Sequence, residues 1–141
     1  MENAVFVTRS VAVRPEKAWD AIAAVGGLDR WFPVIADCAV EGSGVGAVRT
    51  MHSVDGGRII DHIIEVDPAA RRLRYDRVEI AMPVSRYIGA VTVELSGTDA
   101  CRITWTVDLE TPPEVFDDVR AGLQQAISDG VDGLAAELSH P

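Results

Sequence analysis

The sequence predicts an α+β fold in which an antiparallel sheet is closed by one long C-terminal helix. Three observations predict it. An alternating strand-like run at the start is followed by two short helical segments. Residues 37–110 are strand and turn throughout. A single apolar stripe of helical period then runs from Phe116 to Leu138.

In residues 4–13, Val5, Val7, Val11 and Val13 share one face, the period-two pattern of a half-buried strand. Arg14-Pro15-Glu16 opens a helix, because proline suits the first helical position, where its missing N–H is not needed. Trp19, Ile22, Ala23 and Val25 give that helix an apolar side, and Gly26-Gly27 ends it. A second short helix covers residues 28–32 and is stopped by Pro33. Turn signals at Gly42-Ser43-Gly44, Asp55-Gly56-Gly57, Asp67-Pro68, Met82-Pro83 and Gly97-Thr98-Asp99 then divide six strands. These strands lie near 37–42, 46–54, 58–66, 71–81, 85–96 and 100–110. Thr111-Pro112-Pro113-Glu114 has the pattern of a capping box, with Thr111 at the N-cap and Glu114 three residues on. Phe116, Val119, Leu123, Ile127, Val131, Leu134 and Leu138 form the stripe of the final helix. Gly122, Gly130 and Gly133 interrupt it, each costing about 1 kcal/mol against alanine. Either close helix–sheet packing or room for a ligand beneath the helix accounts for them.

The chain has 141 residues, 48% of them apolar, which is one domain's worth of core-forming material and is assigned to a single domain, residues 1–141. No apolar run approaches a membrane span, and the first residues lack a basic stretch followed by an apolar one, so no membrane insertion and a cytoplasmic location are expected. Net charge is −9, and beyond residue 107 eight acidic residues face only Arg120. Such a surface repels phosphate backbones, so no nucleic-acid partner is expected. Cys38 and Cys101 make neither a disulfide framework nor a metal-finger spacing. His52, His62 and His140 are too few and too badly spaced for zinc; no metal and no cofactor are predicted.

The ordered set of motifs resembles a known family. It comprises Val11-Ala12-Val13-Arg14-Pro15-Glu16-Lys17-Ala18-Trp19, Arg30-Trp31-Phe32-Pro33, Gly44-Val45-Gly46, Glu65-Val66-Asp67-Pro68 with Leu73-Arg74-Tyr75, Pro83-Val84 with Tyr87, and Trp105. Together these resemble the polyketide cyclase/dehydrase branch of the SRPBCC (START/birch-pollen-allergen-like) superfamily, over nearly the whole chain. The resemblance implies a helix-grip fold: a curved seven-stranded antiparallel sheet wrapped around the C-terminal helix, with two short helices after the first strand. It also implies an apolar cavity between them.

Turn positions give an approximate register. A hairpin at Asp55-Gly56-Gly57 sets Met51 opposite Asp61 and Arg49 opposite Ile63. A turn over residues 67–70 sets Asp61 opposite Arg77 and Ile63 opposite Tyr75. Alternation then puts Arg49, Met51, Ser53, Ile59, Asp61, Ile63, Leu73, Tyr75, Arg77 and Glu79 on one face, and His52, Ile60, His62, Ile64, Arg74, Asp76 and Val78 on the other. Both faces are mixed; the resemblance favours the first as the cavity face, because family members carry a polar residue matching Asp61 and a tyrosine matching Tyr87. Tyr87, Val91, Val93 and Leu95, and then Ile103, Trp105, Val107 and Leu109, form apolar faces that turn toward the helix.

The leading expectation is therefore a binding protein for a small hydrophobic, aromatic or polyketide-like molecule. Arg49, Met51, Ile59, Ile63, Tyr75, Val91, Trp105, Leu123 and Ile127 would line its site, with Arg49 or Arg77 holding a carboxylate or phenolate. The alternative is an aromatase/cyclase in which Asp61 or Glu79 is the base and Arg77 or Tyr87 polarises a carbonyl. A third reading is an interaction module with a filled cavity, forming a homodimer through Ile60, Ile64, Val66 and Ile80.

Overall fold

A computed structural model describes residues 1–140; Pro141, the last residue of the expected domain, lies outside the described residues. Its strands are β1 (Val5–Val11), β2 (Ile35–Glu41), β3 (Val48–Ser53), β4 (Arg58–Asp67), β5 (Arg72–Glu79), β6 (Arg86–Leu95) and β7 (Cys101–Glu110). The helices are α1 (Pro15–Ala23), α2 (Leu28–Trp31) and α3 (Phe116–Leu138). All seven strands form one antiparallel sheet in the order β1-β7-β6-β5-β4-β3-β2, so only the β1–β7 pairing is non-sequential. The sheet curls around α3, and the buried core lies between them: Val5, Val7, Ile103, Val107 and Leu109 from the sheet meet Leu123, Ile127, Val131 and Leu134 from the helix. This is the helix-grip architecture.

Three local expectations need correction. The capping box does not form: α3 starts at Phe116 without a side-chain cap, and the Thr111 hydroxyl donates to the Pro112 carbonyl at 2.9 Å. Pro113 keeps Pro112 extended, so the chain first makes a 3₁₀ turn over Pro113–Val115 that absorbs Glu114 before the α-helix can begin. Val25 does not continue α1; it adopts φ 73°, a left-handed conformation that is costly for a β-branched residue. Leu95, placed inward by alternation, is exposed at the end of β6.

The glycines of α3 divide by function. A Cβ on Gly133 would lie 2.1 Å from the Trp31 carbonyl oxygen, and one on Gly130 would lie 2.2 Å from the Phe32 ring. These two positions let α2 and the residue after it pack directly on α3. Gly122 would meet nothing within 4 Å; it is exposed and borders a cavity.

Candidate functional site

The β3–β4 hairpin pairs Arg49 with Asp61 and Met51 with Ile59, two residues from the register expected from its turn. A two-residue displacement preserves the face, whereas a one-residue slip would have inverted it. Asp61 pairs with Arg77 and Ile63 with Tyr75 as expected. The inward set Arg49, Met51, Ile59, Asp61, Ile63, Leu73 and Tyr75 is buried accordingly, with Arg77 alongside it.

Glu79 departs from this set. Between Asp61–Arg77 and Ile60–Glu79 the strands are out of step by one residue, so Val78 is a bulge and Glu79 sits opposite the outer-face Ile60. It is exposed, 3.2 Å from Arg58 Nε, and does not join the buried charges. A second irregularity between Ile63 and Glu65 turns Val66 inward against the core, opposite Leu73. Ile80 borders the cavity. The outer-face patch expected from Ile60, Ile64, Val66 and Ile80 is thereby divided between two sides of the sheet.

At the centre stands an Arg–Asp–Arg triad. Arg77 donates Nε to Asp61 Oδ1 at 2.7 Å and Nη2 to Oδ2 at 3.1 Å, and its Nη1 reaches the Tyr87 hydroxyl at 3.1 Å. Arg49 donates Nε to Asp61 Oδ2 at 2.9 Å and Nη1 to the Val25 carbonyl at 2.8 Å. The left-handed turn at Val25 thus supplies an acceptor to a buried guanidinium. The rings complete the surroundings. Arg77 Cζ lies 4.6 Å from the Tyr87 ring centre, and Arg49 Cζ lies 4.8 Å from that of Tyr75, both within cation–π range. Trp105 Nε1 donates to the Tyr75 hydroxyl at 3.0 Å. Gly89 makes this possible: a Cβ there would fall 2.0 Å from Tyr75 Cζ, so the ring lies flat across bare backbone.

Burial raises the Asp61 pKa, but the charges of Arg77 and Arg49 outweigh it and hold the carboxyl below the usual carboxylate range. Burial pushes the Tyr87 hydroxyl well above the usual tyrosine value, and Arg77 only partly offsets it, so the phenol stays protonated. Because the folded-state pKa of Asp61 is depressed, its stabilisation is complete above the ordinary carboxylate value and is lost as pH falls through the lowered one. Acid-unfolding curves of the wild type and Asp61→Asn should therefore converge below about pH 4, the unfolded carboxylate range. A stability gap that stays constant into strong acid would contradict this.

A cavity of about 280 Å³ lies between the sheet and α3. Of the residues singled out in sequence, Ile59, Tyr75, Arg77, Tyr87, Trp105, Leu123 and Ile127 border it. Arg49, Met51, Ile63 and Val91 do not; they are buried behind the wall. Asp61 also stays behind it, presenting Arg77 to the space while both its oxygens are held. Leu28 and Phe32 from α2 and its C-terminal end, with Ala126 from α3, complete an apolar wall that sequence reasoning did not single out. Their only signal was membership of apolar helix faces, which core residues share. Val34, Asp55, Met82 and Gly122 are exposed and mark the mouth.

Residues 4–139 match the family model described as polyketide cyclase/dehydrase and lipid transport. The chain belongs to this family. The family assignment agrees with the SRPBCC resemblance and with the solved structures that share the fold. The aromatase/cyclase Zhui from Streptomyces sp. R1128 matches with a TM-score of 0.79 at 20% identity, over 95% of this chain and 92% of that one. Norcoclaurine synthase from Thalictrum flavum, in complex with dopamine and hydroxybenzaldehyde, matches with a TM-score of 0.78 at 20% identity, over 97% and 87%. XoxI from Bacillus cereus matches with a TM-score of 0.83 at 20% identity, over 96% of both chains. At these identities the likeness is one of fold. No curated protein matches the sequence. Among the described residues, no helix of this family member is long and apolar enough to cross a membrane.

Proposed function

We propose that the chain binds one small, flat, apolar molecule in the cavity, with its rings against Phe32, Trp105 and Leu123 and its polar end at Tyr87 and Arg77. The observation that carries this reading is the composition of the lining: aromatic and aliphatic walls with a polar spot at Tyr87 and Arg77, and Ser53 and Asp55 toward the mouth. The volume suits one or two fused rings. Burying roughly 300 Å² of ring surface at about 25 cal/mol per Å² contributes about 7.5 kcal/mol, and the oriented polar contacts must offset the cost of association for binding to reach the micromolar range. Catalysis of a cyclase type would need a base that touches the ligand. Asp61 is engaged by two arginines and Glu79 by Arg58, so binding has the stronger support.

Titration with an environment-sensitive naphthalene dye is expected to give saturable micromolar binding to the wild type. Ala126→Trp projects an indole from the cavity-lining face of α3 and should weaken that binding at least tenfold while the protein still melts cooperatively. No saturable binding to the wild type, or full binding by a folded Ala126→Trp variant, would overturn the reading.

A further inference from the structure

The polar spot carries a charge and a hydrogen-bonding imbalance of the same sense. Two guanidinium groups, those of Arg49 and Arg77, share the single carboxylate of Asp61, and all three side chains are nearly or fully removed from solvent. Among the described residues one positive charge is left without a buried counterion, although the chain as a whole carries −9. Neither Glu79 nor Glu65, on the same strands, supplies it. Glu79 is held by Arg58 on the outer face, and Glu65 is held by Arg72. Asp55 is exposed at the mouth, where the Ser53 hydroxyl and the Gly57 N–H bind it. An uncompensated charge at low dielectric is costly, and a ligand that neutralises it gains what the protein lacks.

Donors also outnumber acceptors. The Tyr75 oxygen accepts from Trp105 and the Tyr87 oxygen accepts from Arg77. The two hydroxyls also face each other, which can engage one of their hydrogens, and Asp61 is already occupied by the two arginines, so at least one hydroxyl hydrogen is left to donate. Arg49 Nη2 lies 2.8 Å from Asp61 Oδ2, yet its N–H groups are not directed along any hydrogen bond among the described residues. Arg77 and Tyr87 both border the cavity, so their charge and hydroxyl face the ligand, while Arg49 acts from behind the wall.

Resting on the binding reading above, we infer that the polar end of the ligand is a single oxyanion, a carboxylate or a phenolate, received by the Tyr87 hydroxyl and the Arg77 guanidinium. Asp61 positions Arg77 by holding its Nε and Nη2, which leaves Nη1 directed at Tyr87. Arg49 shares that carboxylate and so prevents it from cancelling the Arg77 charge. A ligand whose neutral polar end is replaced by an oxyanion thus supplies both the missing counter-charge and a further acceptor.

Calorimetric titration at neutral pH with 2-naphthoate, its neutral isostere 2-naphthamide, and a nitrated naphthol ionised at that pH tests this. At least one of the two anions should bind ten or more times tighter than the amide, and the tighter of the two assigns carboxylate or phenolate as the preferred chemistry. Tyr87→Phe keeps the ring and the fold; it should weaken the preferred anion about tenfold and reduce the anion-to-amide ratio to threefold or less. If the amide binds as tightly as both anions, the inference falls and the binding reading stands. If none of the three binds, both fall. An anion preference undiminished in folded Tyr87→Phe would also overturn the assignment.

Discussion

Asp61→Asn is expected to lower stability by about 3–5 kcal/mol, the usual cost of removing one member of a buried ion pair. The large value follows from geometry. Asp61 is fully buried and, among the described residues, is the only carboxylate that Arg49 and Arg77 contact, so its loss strands two guanidinium groups. An exposed pair such as Arg58–Glu79 would lose about 1 kcal/mol or less on the same treatment. Denaturant midpoints of the two variants give the comparison, and a loss below about 1 kcal/mol for Asp61→Asn would mean the triad is well solvated.

The triad also determines which compensating change can succeed. Asp61→Leu combined with Arg77→Met leaves Arg49 buried on the Tyr75 ring and the Val25 carbonyl, with no counter-charge among the described residues. Recovery therefore requires Arg49→Met as well, since apolar replacement of a whole buried ionic group is often neutral or stabilising. The triple variant is expected to regain most of the stability lost by Asp61→Asn while losing ligand affinity. Stability regained without function marks a group retained for binding.

Gly133→Ala and Gly122→Ala should move stability in opposite directions. Both sites are helical, so each substitution gains about 1 kcal/mol of helix propensity. At Gly122 nothing opposes that gain. At Gly133 the new methyl would meet the backbone carbonyl of Trp31 at 2.1 Å, and a backbone atom cannot rotate aside. α2 and α3 must separate there, carrying Trp31 and the Trp31–Glu137 hydrogen bond with them. Overpacking of this kind typically costs about 1–3 kcal/mol, and the rigid obstacle puts Gly133→Ala at the upper end. Thermal melts of the two variants decide it: equal stabilisation of both would show that α2 and α3 are not in close contact.

Period and punctuation were enough to read the elements, their order and the inward face of most strands. The valines of β1, the alternation through β7 and the stripe of α3 each report which side is buried, because burial selects residue type at a fixed period. The pairing of Asp61 with Arg77 was read from the turn over residues 67–70, yet beside that turn Asp67 pairs with Arg72, one residue from the expected register, and the irregularity between Ile63 and Glu65 restores it. The bulge at Val78 was not legible. A bulge adds one residue to one strand without a compositional signal, and that residue moved Glu79 from the charge cluster to the solvent face. Nor could the three glycines of α3 be told apart in sequence, because a missing side chain says nothing about what lies opposite. Which inward residues touch the cavity and which stand behind its wall was likewise decided in three dimensions: Tyr75 reaches its place only because Gly89, on the neighbouring strand, has no side chain to exclude it. Sequence alone determined which faces are apolar, through the local cost of exposing apolar surface; the tertiary structure decided which polar groups meet, because that depends on contacts between residues far apart in the chain.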